Sequence, residues 1–314
     1  MNRLLLIACL CMLWCGAAVS RAAEPAKRDT VQYYYKPKGL FHVRARTDVS
    51  GTGLSLMGKG DDYIGVNVRS DARFKQNLGF GIGPVFLNAG ISLGPKQKNL
   101  DGDIAINVYG NYLCFYAGYS YATSLYGTGS LLEGNAVNIP AGSMFYHSLQ
   151  ARLIFALNGK RFSFPAAMNQ NFIQKRSAGS FLLYVNAVGL NARNKDNDLW
   201  TLPDVSVYNG SLGIGAGYGY NWVPFENFLV HLSLLAAPGL LQDTETKVGG
   251  VDRNYKASPT ASLTGNFSCT WHFAKRFYAG AFASFEDIFT LGNDKDYVVR
   301  RGKSDAHLTL GVRF

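Results

Sequence analysis

The sequence predicts an all-β fold: a transmembrane antiparallel barrel of about twelve strands, within a range of ten to fourteen. Three observations predict it. The chain opens on an export signal. No later apolar run is long enough for a membrane helix. Segments of about ten residues alternate apolar and polar side chains along most of the remaining length.

The export signal comes first. Arg3 provides a short basic start, and the apolar run Leu4–Trp14 follows it. Ser20 and Ala22 then supply small residues at the two positions a cleavage site needs. Residues 1–22 read as a cleaved secretory signal peptide, too short to span as a mature helix. Leu6-Ile7-Ala8-Cys9 resembles a lipobox but leaves almost no apolar region before Cys9. Residues 23–39 are expected as a periplasmic N-terminal segment and 40–314 as the barrel.

Composition then excludes a helical membrane protein. After residue 22 the best apolar stretch, Phe228–Leu241, is interrupted by His231, Ser233 and Pro238, short of the roughly 18 residues a helix span requires. Yet 13% of the chain is aromatic and 35 residues are glycine, a surplus over the usual glycine share of ~7%. Such an exported chain is expected in the bacterial outer membrane, against outer-membrane lipid and lipopolysaccharide. The formal charge of +10 falls to +8 without Arg3 and Arg21. In an exported protein it serves anionic lipid or acidic solutes, not nucleic acid. Three of the five cysteines lie in the signal. Cys114 and Cys269 remain, facing inward and toward lipid respectively, so no disulfide is expected.

The strands follow in order. Strand 40–57 sets Phe41, Val43, Ala45, Thr47 and Val49 against His42, Arg44, Arg46 and Asp48. Strands 62–70, 77–94, 103–109 and 112–122 come next; 77–94 is long and contains Pro84, so two strands there are the alternative. In 143–157, Leu149, Ala151, Leu153 and Phe155 oppose Ser148, Gln150 and Arg152. Strand 180–191 precedes 210–222, where Leu212, Ile214, Ala216, Tyr218 and Tyr220 alternate with Gly213, Gly215, Gly217 and Gly219. That glycine spacing fits neither the dinucleotide fingerprint nor the phosphate loop. Glycine inside a strand admits a bulky neighbour onto the backbone, here side chains filling the lumen. Strands 227–239, 259–273 and 277–289 repeat the alternation. The last, 304–314, places Leu308, Leu310, Val312 and Phe314 on one side. An alternating final strand ending on Phe resembles the insertion signal that the barrel-assembly machinery recognises.

Strand parity exposes one anomaly. With both termini in the periplasm, Asn158–Gly179 lies on the periplasmic side, where turns are short. A connection of some twenty residues there is unusual, so it is expected inside the lumen or across the mouth. Lys160, Arg161, Asn169, Gln170, Asn171, Gln174, Lys175 and Arg176 suit a polar lumen, Ser177 with them. Phe162, Phe164 and Phe172 suit the inner wall or mouth. Basic residues interleaved with aromatics also describe a nucleic-acid groove, which an exported barrel does not need.

The same segment carries a family resemblance. Asn158, Arg161, Phe162 and Ser163, then Ala166 and Ala167, then Gln174, Lys175, Arg176, Ala178, Gly179 and Ser180 resemble the centre of domain-of-unknown-function family 4421. Pro165 stands where that family usually has a basic residue. The resemblance implies an outer-membrane barrel and no known activity.

Two functions remain in view. The first is a structural barrel or a narrow, largely plugged conduit for small solutes. His42, Arg44, Arg46, Arg69, Arg152, His307 and Arg313 are expected to face inward, which favours anions if the lumen is open. Pairing with Asp48 and Glu286 would close it. The alternative is an outer-membrane lipid hydrolase or acyltransferase. His231 and Ser233 lie two apart on one strand face, the spacing for a histidine-activated serine, although they point away from lipid. No cofactor or metal is expected, because the histidines are scattered. Asp61-Asp62 and Asn293-Asp294-Lys295-Asp296 read as solvated loop charge.

Overall fold

A computed structural model describes residues 32–39, 41–57, 65–70, 73–83, 85–92, 101–130, 136–194, 205–248, 251–256, 260–290 and 298–314. The expected signal peptide and the loop charges at 61–62 and 293–296 lie outside the described residues. The early strands are β1 (Tyr34–Tyr35), β2 (Phe41–Met57), β3 (Gly65–Arg69), β4 (Arg73–Ile82), β5 (Val85–Ser92), β6 (Asp101–Tyr109) and β7 (Leu113–Ala122). Next come β8 (Tyr126–Ser130), β9 (Ala136–Ile139), β10 (Met144–Ala156), the helix α1 (Phe164–Met168), β11 (Ile173–Gln174) and β12 (Ala178–Asn194). The last are β13 (Val205–Phe225), β14 (Phe228–Val248), β15 (Val251–Lys256), β16 (Thr260–Trp271), β17 (Phe277–Thr290) and β18 (Val298–Arg313).

Twelve of these strands close a ring, in the order β2, β4, β5, β6, β7, β10, β12, β13, β14, β16, β17, β18. β18 returns to β2, from Val298 opposite Met57 to Arg313 opposite His42. Closure pairs both seam strands and leaves the wall without an open edge. The turns after β4, β6, β13 and β16 lie at one end of the ring, with Phe314 beside Phe41. At the β13–β14 turn Asn227 takes φ +66, a conformation asparagine tolerates. The β7–β10 connection, which carries β8 and β9, lies at the other, loop end.

The expected count of twelve holds, but two strand assignments need correction. Segment 77–94 is two strands, because Gly83 at φ +56 turns the chain between β4 and β5. Glycine enters that left-handed region without strain. Segment 62–70 is not a wall strand: β3 pairs only with the loop end of β2 and with β8, outside the ring. The place beside β2 belongs to β4. The two errors cancel, so the parity of every later strand is preserved. One consequence is that Arg69 is exposed beside Tyr126 instead of lining the lumen.

Outward positions carry a continuous apolar belt: Phe74, Leu78, Phe80, Ile82, Phe181, Ile214, Leu232, Leu234, Leu308 and Leu310 are all more than half exposed or close to it. Such outward apolar side chains suit a wall that faces hydrocarbon. Toward the turn end the belt grades into aromatics, Trp222, Phe225, Trp271, Phe273, Phe277 and Phe314. Phe225 stacks on Phe228 at 4.8 Å and Phe273 on Phe277 at 6.1 Å. Aromatic girdles of this kind sit at membrane interfaces. Cys114 is buried inside, Cys269 sits half-buried between exposed Phe267 and Trp271, and both are free thiols.

At the loop end the small sheet of β3, β8 and β9 forms a cap. Its Val66, Val68 and Ile139, with Leu125, pack against Leu54 and Val299 on one side of the ring and Met144, Leu190 and Ala192 on the opposite side. The cluster therefore crosses the lumen.

Candidate functional site

Between β10 and β12 the chain turns into the barrel at the turn end. Asn158 ties the two ends of this segment. Its carbonyl accepts from the Arg161 and Phe162 amides at 3.0 and 2.9 Å. Its own amide donates to Ser180 Oγ at 2.9 Å, and its Nδ2 donates to the Gly179 carbonyl at 2.8 Å. Ser163 then caps α1, accepting from the Ala166 amide at 3.2 Å, with Pro165 in the first turn. Ala166 and Ala167 are fully buried, and the Ala167 carbonyl accepts from wall residue Ser268 at 2.9 Å. Small side chains here let the helix backbone reach the wall. Asn171 Nδ2 donates to the Gly83 carbonyl at 3.2 Å, and Arg313 Nη2 donates to the Gln170 carbonyl at 2.6 Å. The segment is thus bonded to several sides of the ring. It is a plug.

A hydrogen-bonded chain runs from the plug into the wall. Gln174 Nε2 donates to the carbonyls of Arg161 and Arg176 at 2.6 and 2.9 Å, which fixes its amide. Its Oε1 accepts from the Ser163 amide at 3.0 Å and from Asn221 Nδ2 at 3.2 Å. Asn221 Nδ2 also donates to the Ser163 carbonyl at 3.0 Å, so Asn221 Oδ1 must face His231 Nδ1, at 2.7 Å. That places the imidazole proton on Nδ1 and leaves Nε2 to accept from Ser233 Oγ at 3.0 Å. Asn266 Nδ2 donates to the same hydroxyl at 3.1 Å. The order is that of a serine–histidine–amide triad. Asn221, opposite His231 on the neighbouring strand, is the third group that linear spacing missed. All three are buried, under the rings of Phe164 and Phe162 at 5.4 and 6.0 Å from the imidazole. Phe162 occupies space that Gly219 leaves open: a Cβ there would lie 3.0 Å from its ring. The glycine run serves packing at that position.

The cations of the plug do not line the lumen as expected. Lys160, Arg161, Lys175 and Arg176 are exposed at the mouth. Amides and phenylalanines take the interior, because a buried cation without a counter-charge is expensive whereas an amide finds backbone partners. Arg161 and Lys175 instead cover Tyr33 and Tyr35 at 5.4 and 4.9 Å. Those tyrosines belong to the N-terminal segment, which β1 docks onto β11, Tyr34 opposite Gln174. Tyr34 donates to the Gly159 carbonyl at 2.5 Å. Burial first, then neighbouring Tyr112, pushes its hydroxyl up to about 12, so it stays a donor. Phe172 packs edge-on to Tyr34 at 5.5 Å, and half-buried Ser177 accepts from the Val223 amide at 2.9 Å.

Beyond the plug the lumen is crossed again by charge. Buried Glu286 of β17 accepts from Gln150 and Asn186 at 2.6 and 3.2 Å and pairs with Arg152 at 2.9 Å and Arg301 at 3.8 Å. β10 and β17 stand across the ring from one another, so this cluster bridges opposite walls. Asp48 similarly holds Arg46 and Asn77. His307 pairs with Asp305 at 3.0 Å. In the β16–β17 turn, burial and then the charge of Arg313 lower His272 to about 3, leaving its Nδ1 to accept from Arg313 Nη2 at 3.1 Å. Among the described residues no group of three His, Cys, Asp or Glu side chains is placed to hold a metal. Leu308, Leu310 and Phe314 face outward, with Val312 half-buried between them.

The fold resembles the translocator domain of the autotransporter NalP from Neisseria meningitidis, at 13% identity and TM-score 0.41 over 98% of this chain and 96% of that one. It is also similar to the outer membrane protease OmpT from Escherichia coli, at 7% identity and TM-score 0.41 over 91% and 99% of the two chains. A third likeness is the COG4313 outer membrane channel from Pseudomonas putida F1, at 12% identity and TM-score 0.33 over 90% and 100%. At these values none of them bears on activity. No curated protein matches the sequence. The family described as "Domain of unknown function (DUF4421)" matches residues 27–314, and the chain belongs to that family.

Proposed function

We propose that the protein is an integral β-barrel of the bacterial outer membrane, exported on a cleaved signal peptide, with its turn end in the periplasm and its lumen closed at rest. Its role is that of a structural barrel or a narrow, largely plugged conduit for small solutes. A closed barrel with an apolar exterior is one of two architectures a bilayer core accepts. The observation that carries the closed reading is the plug, with Phe162, Ser163, Ala166, Ala167 and Asn169 all buried inside the ring. Purified, refolded protein in planar bilayers is expected to show no steady conductance steps. Steady ohmic steps from the wild type would overturn the closed reading.

A second reading rests on the Asn221–His231–Ser233 chain. Displacement of the plug would admit an ester to Ser233. Its Oγ would attack the acyl carbonyl, His231 Nε2 would take the hydroxyl proton and pass it to the leaving alcohol, and water would release the acid. Labelling by a fluorophosphonate probe that is lost in Ser233→Ala supports this reading. No labelling of the wild type in membranes or detergent removes it.

A further inference from the structure

Most inward-facing arginines of the described residues have a carboxylate: Arg46 pairs with Asp48, and Arg152 and Arg301 with Glu286. Arg44 and Arg313 do not. Arg44 Nε and Nη2 both converge on Asn88 Oδ1, at 3.1 and 2.5 Å, and the guanidinium lies 4.8 Å from the Phe86 ring. Arg313, 0% exposed, uses only Nη2; its Nε and Nη1 have no partner.

Strand register sets the backbones of these two residues at adjacent inward positions of the seam. Arg313 stands opposite His42 across the seam, and Arg44 stands opposite Gly311. Gly311 is in turn opposite Tyr278. The Tyr278 ring lies across Gly311, where a Cβ would sit 2.0 Å from it. The phenol thus reaches toward β2 while its face carries Arg313 at 4.6 Å. Gln170 of the plug, held at φ +61, covers Arg313. Around this pair, His42 Nδ1, Tyr278 Oη and both polar atoms of the Gln170 side chain are buried without partners.

Two buried guanidiniums without a carboxylate in contact are strongly unfavourable by themselves. The unpartnered donors among them, Arg313 Nε and Nη1, Tyr278 Oη and Gln170 Nε2, call for one acceptor with several lone pairs. We propose that Arg44 and Arg313, with Tyr278, His42 and Gln170, bind a small oxyanion of the carboxylate or phosphate class between the plug and the β2–β18 seam. The bound anion neutralises the seam and ties the plug to it. The site goes beyond the conduit reading and does not depend on conductance.

The test uses the whole refolded barrel. Equilibrium dialysis against radiolabelled inorganic phosphate is expected to give one saturable site per barrel. A parallel arm with acetate distinguishes phosphate from carboxylate preference. Phosphate replacing chloride at constant ionic strength is expected to raise the thermal midpoint by a few degrees. Arg44→Gln is expected to weaken binding about ten-fold or more, whereas exposed Arg300→Gln leaves it unchanged. Arg313→Gln also removes a plug contact, so Gln170→Ala is the companion variant: it keeps both cations and the backbone carbonyl, and binding should fall a few-fold. Absence of saturable binding of either anion by the wild type, or binding unchanged in Arg44→Gln, overturns the proposal.

Discussion

The two ends of the lumen are closed by a different balance of polar and apolar contacts. At the turn end the plug meets the wall through directional polar contacts, from Ser268 to Ala167, Asn171 to Gly83, and Asn221 to Ser163 and Gln174. At the loop end the cap buries Val66, Val68, Leu125 and Ile139 in one apolar cluster that spans the lumen. A hydrogen bond contributes about 1 kcal/mol net, because water offers nearly equivalent partners. A large apolar side chain contributes about 1.5–3 kcal/mol on burial, and water offers no substitute. The plug end therefore relies more on bonds that solvent can compete for, beside the packing of Phe162 and Phe164, and the cap relies more on packing. Between them the Glu286 cluster ties opposite walls together.

This comparison orders the expected effects of mutation, all read as shifts in the midpoint of heat-modifiable gel migration. The largest belongs to Glu286→Ala. It leaves Arg152 and Arg301 buried without their carboxylate, a loss of about 3–5 kcal/mol. A midpoint equal to wild type would show that the cluster is hydrated and does not bridge the walls. Next comes Leu125→Ala in the cap, which is 0% exposed, at about 2–5 kcal/mol. Gln174→Ala in the plug should follow, at about 1–3 kcal/mol, because it orphans the Ser163 amide and the Arg161 carbonyl. If Gln174→Ala is more damaging than Leu125→Ala, the division between a polar plug and a packed cap is wrong. The smallest effect is Lys175→Ala, about 0.5–1 kcal/mol from its exposed contact with Tyr35. A larger loss would return that lysine to the lumen.

The barrel was legible in the sequence because every wall strand obeys one rule. Side chains alternate between lipid and lumen, and Leu308, Leu310, Phe277 and Phe285 each announce the outer face. The plug was legible as an anomaly of length, and its motif residues Asn158, Ser163, Gln174 and Ser180 all make plug-closing hydrogen bonds. What remained hidden depends on pairing between distant residues. Asn221 joins His231 only across a strand interface, and Glu286 meets Gln150 only across the lumen. The period-two pattern places both inward but names no partner. Segment 62–70 misled because a strand in the cap sheet alternates as a wall strand does, with Val66 and Val68 buried against the cap cluster. The plug cations misled because a basic residue next to a buried one reads as buried too. Lys160 and Arg161 directly precede Phe162, yet only the ring goes inside.

The central claim is that the segment between β10 and β12 closes the lumen from its turn end, with that end in the periplasm. Single cysteines at Asn169 and Lys160, in a background lacking Cys114 and Cys269, test it with a bulky membrane-impermeant thiol reagent. Asn169 is 0% exposed and Lys160 is exposed at the mouth. Lys160→Cys should label rapidly when the reagent reaches the periplasm and not at all in intact cells, while Asn169→Cys should resist from both sides. Rapid labelling of Asn169→Cys, or labelling of Lys160→Cys on intact cells, would contradict the plug and the orientation of the barrel.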